Sequence, residues 1–483
     1  MSQETELKLV LPAPAAEAFP GSALIAPAPT VRKLQAIYFD TPDHLLHKAG
    51  VSLRIRRSGR QRIQTVKGAG SRAAGLFTRP EWERPVPGDA PLLGDDTPLP
   101  ALLGQNAAAL APAFTVKVER TLWLLDEGEA TIEMVLDRGT VIAAERTAPV
   151  CEIELELQKG EPHALFALAR RLAAALPLRL GVLSKAERGY ALLGPLHAAF
   201  KAETVQLDPA ATASEACRAI LALCIRHYRL NEELLLAGRE PEALHQARVA
   251  LRRLRSAMAI FKPVLAPAAL AHLHAELRWL GGVLGDARDL DVLLEKAEPG
   301  KLRDHLHSTA DKAHATVRAA LESRRCLSLR LDLAEWAAVG AWRTPPARPD
   351  LRDAPARDYA AHALQKLRKR MKKRGAGLET LSDEERHALR KSAKRLRYGV
   401  DFFAGLFPKH KGRKRKFAAS LAALQDNLGD LNDLATAPRL LERLALADQP
   451  DARDLPHHRD KARILTQAQK DFDTLIGRKT FWS

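Results

Sequence analysis

Glu4, Glu6 and Lys8 occupy alternate positions of the segment Glu4-Thr5-Glu6-Leu7-Lys8. Strand side chains repeat with period 2, so these three share one face and Leu7 and Leu9 share the other. Two carboxylates and an ammonium make a poor core and a good metal–phosphate site. Carboxylate oxygens hold Mg²⁺ or Mn²⁺, and a nearby lysine holds a phosphate that the metal also binds. The pattern recurs downstream. Arg54 and Arg56 share a face, Lys67 ends the run Gln64-Thr65-Val66-Lys67, and Glu81 and Glu83 share a face. Glu133 and Asp137 form another pair, and Glu152, Glu154 and Glu156 make a second acidic strand, with Lys185 and Arg188 following.

The elements that must carry these residues alternate too. Val51 to Arg56, Gln61 to Lys67, Arg79 to Glu83, Lys117 to Leu124, Ala130 to Leu136 and Cys151 to Leu157 read as strands. Turn signals at Ser58-Gly59, Gly68-Ala69-Gly70, Asp126-Glu127-Gly128 and Asp137-Arg138-Gly139 separate them, and His163 to Leu176 reads as a helix. One charged strand face could lie in water. A whole series is better served by a closed barrel with apolar residues outward under helices and charges inward, provided acid and base balance or bind ions.

From about Asp208 the period becomes helical, as in Ile220, Leu223 and Cys224. The break Thr344-Pro345-Pro346-Ala347-Arg348-Pro349 splits this region, and each side has room for about four helices. It also contains a repeat. His-Gln-Ala-Arg-Val-Ala-Leu-Arg-Arg-Leu-Arg begins at His245, and His-Ala-Leu-Arg-Lys-Ser-Ala-Lys-Arg-Leu-Arg begins at His387. A second echo follows: Leu284-Gly285-Asp286-Ala287-Arg288-Asp289-Leu290 matches Leu428-Gly429-Asp430-Leu431-Asn432-Asp433-Leu434. His245, Arg248, Arg252 and Arg255 fall on a helical stripe about 80° wide, which His387, Arg390, Lys394 and Arg397 repeat. Like charges so spaced repel, and arginine forks match phosphate oxygens, so the stripe is read as an anion site. Arg253, Lys391 and Arg395 of the same runs join the candidates. Asp286, Asp289, Asp430 and Asp433 are expected to orient the basic side chains or cap helices rather than hold metal.

The 483 residues carry a net charge of +17. Residues 1–200 hold about 23 basic and about 22 acidic side chains, so the excess lies in the helical region and implies a polyanionic partner. No run of 18 apolar residues suggests a membrane span, and the acidic N-terminus has no apolar leader. Cys151, Cys217, Cys224 and Cys326 lack metal-ligand spacing and read as idle thiols in a reducing cytoplasm. Gly68-x-Gly70 lacks the strand–helix context of a dinucleotide site, there is no P-loop, and His457-His458 reads as a solvated pair.

The strand half resembles the CYTH domain of the triphosphate tunnel metalloenzyme superfamily. The resemblance rests on Glu4, Glu6 and Lys8 of the E-x-E-x-K signature. It extends through Tyr38-Phe39-Asp40-Thr41-Pro42, Leu53-Arg54-Ile55-Arg56, Thr65-Val66-Lys67, Arg79-Pro80-Glu81-Trp82-Glu83 and Glu119-Arg120-Thr121. Asp137-Arg138-Gly139, Glu152-Ile153-Glu154-Leu155-Glu156 and Ser184-Lys185-Ala186-Glu187-Arg188-Gly189 complete it. It implies, over residues 1–200, an eight-stranded antiparallel β-barrel that binds a triphosphate inside. It also implies that Lys8, Arg54, Arg56, Lys67, Arg120 and Lys185 grip the phosphates and that Glu4, Glu6, Glu154 and Glu156 hold Mg²⁺ or Mn²⁺. Glu152, also a metal candidate, and Glu81, Glu83, Glu133 and Asp137 are further lumen candidates.

Residues 210–480 resemble the CHAD domain through the run from Glu240 to Val249 and the run from His387 to Tyr398. That implies an all-α domain of two pseudo-symmetric four-helix bundles, about 210–340 and 355–480, whose basic surface binds inorganic polyphosphate. Further basic runs lie at Lys366 to Arg374 and at Lys411 to Lys416.

Together the two resemblances imply a cytoplasmic metal-dependent inorganic triphosphatase yielding pyrophosphate and phosphate, with association to polyphosphate granules left open. A non-catalytic polyphosphate-binding protein and a class-IV-like adenylate cyclase are the rivals. Nucleic acid is disfavoured because the basic stripes hold only Tyr398 as a stacking platform.

Overall fold

The computed structural model describes residues 2–21, 25, 28–70, 75–195, 197–265, 267–340, 349–446 and 461–482. Residues 344–348 of the Pro-rich break and His457 and His458 lie outside the described residues. The chain divides into two compact units: 1–198 with 322–340, and 199–321 with 341–483.

The first unit is a closed antiparallel barrel. Its strands are β1 (Ser2–Val10), β2 (Thr30–Asp40), β3 (Ser52–Ser58), β4 (Gln61–Lys67), β5 (Leu76–Pro85), β6 (Ala111–Glu127), β7 (Ala130–Ala143) and β8 (Arg146–Lys159). The order is β5-β4-β3-β2-β6-β7-β8-β1, and β1 pairs back onto β5 to close eight strands; the two-residue β9 (Arg179–Leu180) adds to the end of β1. Closure leaves no free edge and sends alternate residues into a lumen.

The outward residues form the core. Leu7, Leu9, Ile153, Leu155 and Leu180 are all 0% exposed. Helices cover them: α1 (Ala13–Ala18), α2 (Leu45–Lys48), α3 (Leu99–Leu103), α4 (His163–Ala175) and α5 (Lys185–Leu193). α4 buries Leu165, Phe166, Leu168, Ala169 and Leu172. Leu46 of α2 and Leu99 and Leu103 of α3 pack with Leu53, Ile55 and Val66. Ala186 and Tyr190 of α5 pack with Tyr38, Phe114, Val116 and Val141. Asp40 joins two of these helices: its carboxylate accepts from the backbone of Leu46 (2.9 Å) and His47 (3.0 Å) and from the Tyr190 hydroxyl (2.7 Å). Gly70 is a packing residue, since a Cβ there would lie 2.3 Å from the Thr78 carbonyl oxygen of β5.

The second unit is helical: α6 (Ala213–Ala237), α7 (Pro241–Ile260), α8 (Pro267–Lys296) and α9 (Lys301–Glu322) form the first set. α10 (Arg324–Val339) packs with the strand unit, where Arg170 of α4 donates to Asp332 (2.9 Å) and Glu335 (2.5 Å). After α11 (Pro349–Arg352) come α12 (Ala356–Arg374), α13 (Asp383–Phe403), α14 (Lys411–Arg443) and α15 (Lys461–Gly477). The second set repeats the first in order, with α7 packed on α13 and α6 on α12. Capping boxes at Thr212/Glu215 and Ser382/Glu385 start α6 and α13. Cys217, Cys224 and Cys326 are buried, and burial pushes the Cys224 thiol up to about 12. No described helix is long and apolar enough to cross a membrane.

Phe166 of α4 is fully buried. Phe166→Ala should destabilise the protein by about 3–5 kcal/mol through lost transfer energy and the cavity left behind. Urea unfolding monitored by circular dichroism reads this as a lower midpoint.

Candidate functional site

Strand register decides which lumen charges meet. Glu4 stands opposite Arg79, Lys8 opposite Glu154, Lys67 opposite Glu81 and Arg120 opposite Asp137. Each pair puts a cation beside a carboxylate. Arg79 bridges Glu4 (3.1 Å) and Glu6 (2.7 Å), and Lys67 pairs with Glu4 and with Glu81 (3.3 Å). Lys8 pairs with Glu154 and with Glu6 (3.1 Å). Arg120 donates a bidentate pair to Asp137 at 2.8 and 2.6 Å and reaches Glu154 at 3.1 Å. Against the cost of burial, Lys67 and Arg79 hold the Glu4 carboxyl at about 2.

Two register contacts set acid against acid, which is destabilising without a counter-charge. The first is Asp137 opposite Glu152. α5 resolves it. The Ser184/Glu187 capping box starts that helix at Lys185, whose ammonium lies 2.7 Å from Asp137, 2.6 Å from Glu152 and 3.0 Å from Glu154. Arg188 takes the other Glu152 oxygen at 2.5 Å. Glu152 and Asp137 are therefore fully buried behind the lumen wall, each engaged by two cations.

The second contact is answered only at Glu6, which Lys8 and Arg79 hold. Glu6 and Glu133 both stand opposite Glu156, a row of three carboxylates across β1, β8 and β7. The neutral amide of Gln158 donates to Glu156 at 3.1 Å. Burial, then Glu4, Glu133 and Glu6, pushes the Glu156 carboxyl up to about 7. Glu81 is likewise raised, by burial and then by Glu4. Among the described residues no ready-made set of three His, Cys, Asp or Glu ligands is formed. The oxygens of Glu156 and Glu133 nonetheless suit a hard divalent cation such as Mg²⁺ or Mn²⁺, which takes oxygen ligands.

The cavity at the barrel's centre measures about 330 Å³ and is lined by Glu4, Lys8, Arg54, Arg56, Lys67, Glu81, Glu83, Arg120, Glu133, Glu154, Glu156 and Lys185. Three of its cations crowd one another: Arg54, then burial, then Arg120 pull the Arg56 guanidinium below its ordinary value. Arg54 donates to the Tyr38 hydroxyl at 3.5 Å, and its Nε is buried without a partner. Glu83 is held by Thr65 (2.8 Å) and by Arg56 (3.5 Å). The lumen thus has a cationic wall at Arg54, Arg56 and Arg120 and an acidic corner around Glu156. Arg79 and Arg32 also line it. Arg79 stood within a motif segment, yet its place beside Glu4 and Glu6 depends on the β1–β5 pairing; Arg32 had no alternating partner to mark it.

In the helical unit, the two repeats converge. His245, Arg248 and Arg252 of α7 and His387, Arg390 and Lys394 of α13 line one cavity of about 900 Å³, with Arg288, Lys296, Arg439 and Arg443 from α8 and α14. Gly285 makes room: a Cβ there would lie 2.8 Å from Arg248 Nη1. The aspartates of the second echo serve cations. Asp289 lies 3.7 Å from Arg248, Asp433 3.2 Å from Lys296 and Asp286 3.3 Å from Arg443. His387 pairs with Asn432 at 2.8 Å. Compensation is incomplete, since Arg248 Nη1, Arg252 Nε and Arg390 Nε are buried without partners. Burial, then Arg390, Arg252 and Arg248, pulls the Lys394 ammonium down to about 7.

Arg253, Arg255, Lys391, Arg395 and Arg397 do not line this cavity. Arg253 lies beside Asp401 and over Phe402, Arg397 donates to Gln425 (3.2 Å), and Lys391 and Arg255 are exposed. In the run from Lys366, Arg368 donates to the Ile476 carbonyl at 2.6 Å, and Arg374 to Ser392 at 2.8 Å.

A closed barrel with an ion-lined lumen precedes a duplicated helical unit that gathers two basic stripes. The CYTH domain model matches residues 2–190 and the CHAD domain model residues 219–442. The chain is a CYTH–CHAD protein of the triphosphate tunnel metalloenzyme superfamily. An inorganic triphosphatase of Haemophilus influenzae is 35% identical over 162 residues, 32% of this chain and 44% of that protein, so the match spans less than half of that relative's length. An uncharacterised protein of Mycobacterium tuberculosis is 29% identical over 426 residues, 80% of this chain and 78% of its own. The crystal structure of the CHAD domain from Ricinus communis is 34% identical, covers 58% of this chain and 95% of that one, and has a TM-score of 0.48.

Two titrations follow from the geometry. A cation on the acidic corner requires ionised Glu156, so Mn²⁺ affinity should fall about tenfold per pH unit below about 7. Calorimetric Mn²⁺ titrations at pH 6 and pH 8 should show this dependence, and Glu156→Gln should remove it. In the helical unit, one lysine ammonium, absent in Lys394→Met, should deprotonate near pH 7 by NMR. Unfolded, that lysine stays protonated to about 10.5, so its contribution to stability rises as pH climbs from about 7 to about 10.5.

Proposed function

We propose that the chain is a metal-dependent inorganic triphosphatase that hydrolyses triphosphate to pyrophosphate and phosphate and that holds inorganic polyphosphate in its helical domain. Residues 1–200 form the tunnel domain in this reading, residues 210–480 the polyphosphate-binding domain, and the protein is cytoplasmic. The observation that carries it is the single lumen cavity lined both by Arg54, Arg56 and Arg120 and by Glu4, Glu133 and Glu156.

Phosphoryl transfer needs charge neutralisation and in-line geometry more than covalent chemistry. Arg54, Arg56 and Arg120, with Lys8, Lys67 and Lys185, neutralise the phosphate oxygens and fix the chain in line. Glu4, Glu6 and Glu156, with Glu133 beside them, would hold Mg²⁺ or Mn²⁺, which supplies Lewis acidity and an activated water when bound. Water attacks the terminal phosphorus, its bond to the bridging oxygen breaks, and pyrophosphate leaves. The water's proton goes to Glu81, whose proton affinity burial raises. In the helical domain Arg248, Arg252, Arg390 and Lys394 supply the grip on polyphosphate.

The test offers the purified protein triphosphate, ATP, thiamine triphosphate and long polyphosphate with Mg²⁺ or Mn²⁺ and resolves the products. Triphosphate should be preferred and yield pyrophosphate and phosphate. Faster turnover of ATP to cyclic AMP would replace this reading with the cyclase, and binding without turnover would make the tunnel a receptor. Glu4→Gln with Glu6→Gln should abolish turnover while the folded circular dichroism spectrum persists; turnover at the parent rate would remove both residues from the metal site. Replacing Arg248, Arg252, Arg390 and Lys394 by Ala should weaken polyphosphate binding by several kcal/mol, at about 1.5–3 kcal/mol per charged hydrogen bond, without stopping triphosphate hydrolysis.

A further inference from the structure

Cations of the chain engage every carboxylate oxygen of Glu4 and Glu6. Arg79 donates from Nε to Glu4 Oε2 at 3.1 Å and from Nη2 to Glu6 Oε1 at 2.7 Å. Lys67 takes Glu4 Oε1, and Lys8 takes Glu6 Oε2 at 3.1 Å. Glu4, Lys8, Lys67 and Arg79 all line the lumen cavity. A divalent ion can therefore take both carboxylates only if a protein cation gives up an oxygen on each.

The three cations differ in how readily they can do so. The guanidinium fork of Arg79 joins two carboxylates, so its release breaks two charge-assisted hydrogen bonds at once. The base of its side chain is also confined, since a Cβ on Gly70 would lie 2.6 Å from the Arg79 Cβ. The lysines make single-point contacts through a mobile ammonium. Each has a second carboxylate: Lys67 reaches Glu81 at 3.3 Å, and Lys8 pairs with Glu154. Either ammonium can turn from Glu4 or Glu6 and still keep a counter-charge.

We infer that Arg79 is a fixed clamp on Glu4 and Glu6, and that Lys8 and Lys67 are exchangeable counter-ions. A phosphate chain in the lumen draws the two ammoniums away, and the oxygens they release, Glu4 Oε1 and Glu6 Oε2, become available to the metal. The inference rests on the metal-dependent triphosphatase reading and gives Arg79 a positioning role in it. Arg79 keeps one oxygen of each carboxylate, so the two stay together with one oxygen free on each. No charge is stranded, because the ammoniums pass from carboxylate to phosphate as the carboxylates pass from ammonium to metal. Metal and phosphate chain then bind with positive coupling, equal in both directions.

The experiment uses the full chain at about pH 8, above the titration of the acidic corner, with Mn²⁺ binding read by calorimetry and stability by thermal melting. Without phosphate, Lys67→Met should melt below the parent in EDTA, recover with Mn²⁺, and bind Mn²⁺ about tenfold more tightly than the parent. That gain should vanish when Glu4→Gln is added, which separates competition at Glu4 from a general change in lumen charge. Inorganic phosphate should raise the Mn²⁺ affinity of the parent more than that of Lys67→Met, whose Glu4 oxygen is already free. Arg79→Lys keeps the charge but loses the fork, and should bind Mn²⁺ about tenfold more weakly than the parent. If Lys67→Met gives no folded circular dichroism spectrum, Lys67→Gln carries the same comparison. A lysine variant that binds Mn²⁺ no more tightly than the parent, or a gain that survives Glu4→Gln, overturns the exchange. Parent-like Mn²⁺ affinity in Arg79→Lys removes the clamp. Triphosphate turnover by the parent in EDTA, with no Mn²⁺ bound, would instead remove the metal-dependent reading itself.

Discussion

A charge inside a closed barrel needs a counter-charge, and the tunnel domain is arranged around that constraint. Much of the outward strand surface is spent on the core under helices, and ionic side chains fill the lumen. Breaking a buried pair costs about 3–5 kcal/mol because the remaining charge is left uncompensated. Hence Asp137 and Glu152 are each engaged by two cations, and α5 begins where its first residue, Lys185, can neutralise both. The row Glu6–Glu156–Glu133 stands out against this background. Lys8 and Arg79 answer Glu6, and Glu156 keeps a raised proton affinity beside Glu4, Glu133 and Glu6.

The helical domain inverts the arrangement. Its stability comes from apolar helix packing, including Leu290, Leu293, Leu302, Leu306 and Leu441. Its cations can therefore be left crowded, and orphaned guanidinium nitrogens of Arg248, Arg252 and Arg390 face a common cavity. A lysine drawn down to about 7 records the cost of holding them together. The tunnel is short of cations at one corner, whereas the pocket has them in excess throughout. The first deficit suits a divalent metal, and the second suits a polyanion.

Alternation in the first eight residues, the charge series of the later strands and the repeated stripe were legible in the sequence because they are local. Period 2 and period 3.6 are set by backbone geometry, and residue type fixes charge. The sequence by itself thus determined an inward-charged strand domain, a duplicated helical domain and the chemistry that each could perform. Only the tertiary structure decided which charges face each other. Glu156 lies between Glu6 and Glu133 because β8 pairs with both β1 and β7, and Glu152 is withdrawn behind the wall because α5 delivers Lys185 and Arg188 to it. Arg79 reaches Glu4 and Glu6 because β5 closes the barrel onto β1. The two basic stripes meet in one cavity because α7 packs on α13. Each of these contacts joins residues far apart in the chain, and electrostatic energy depends on the distance between charges, which no local pattern contains.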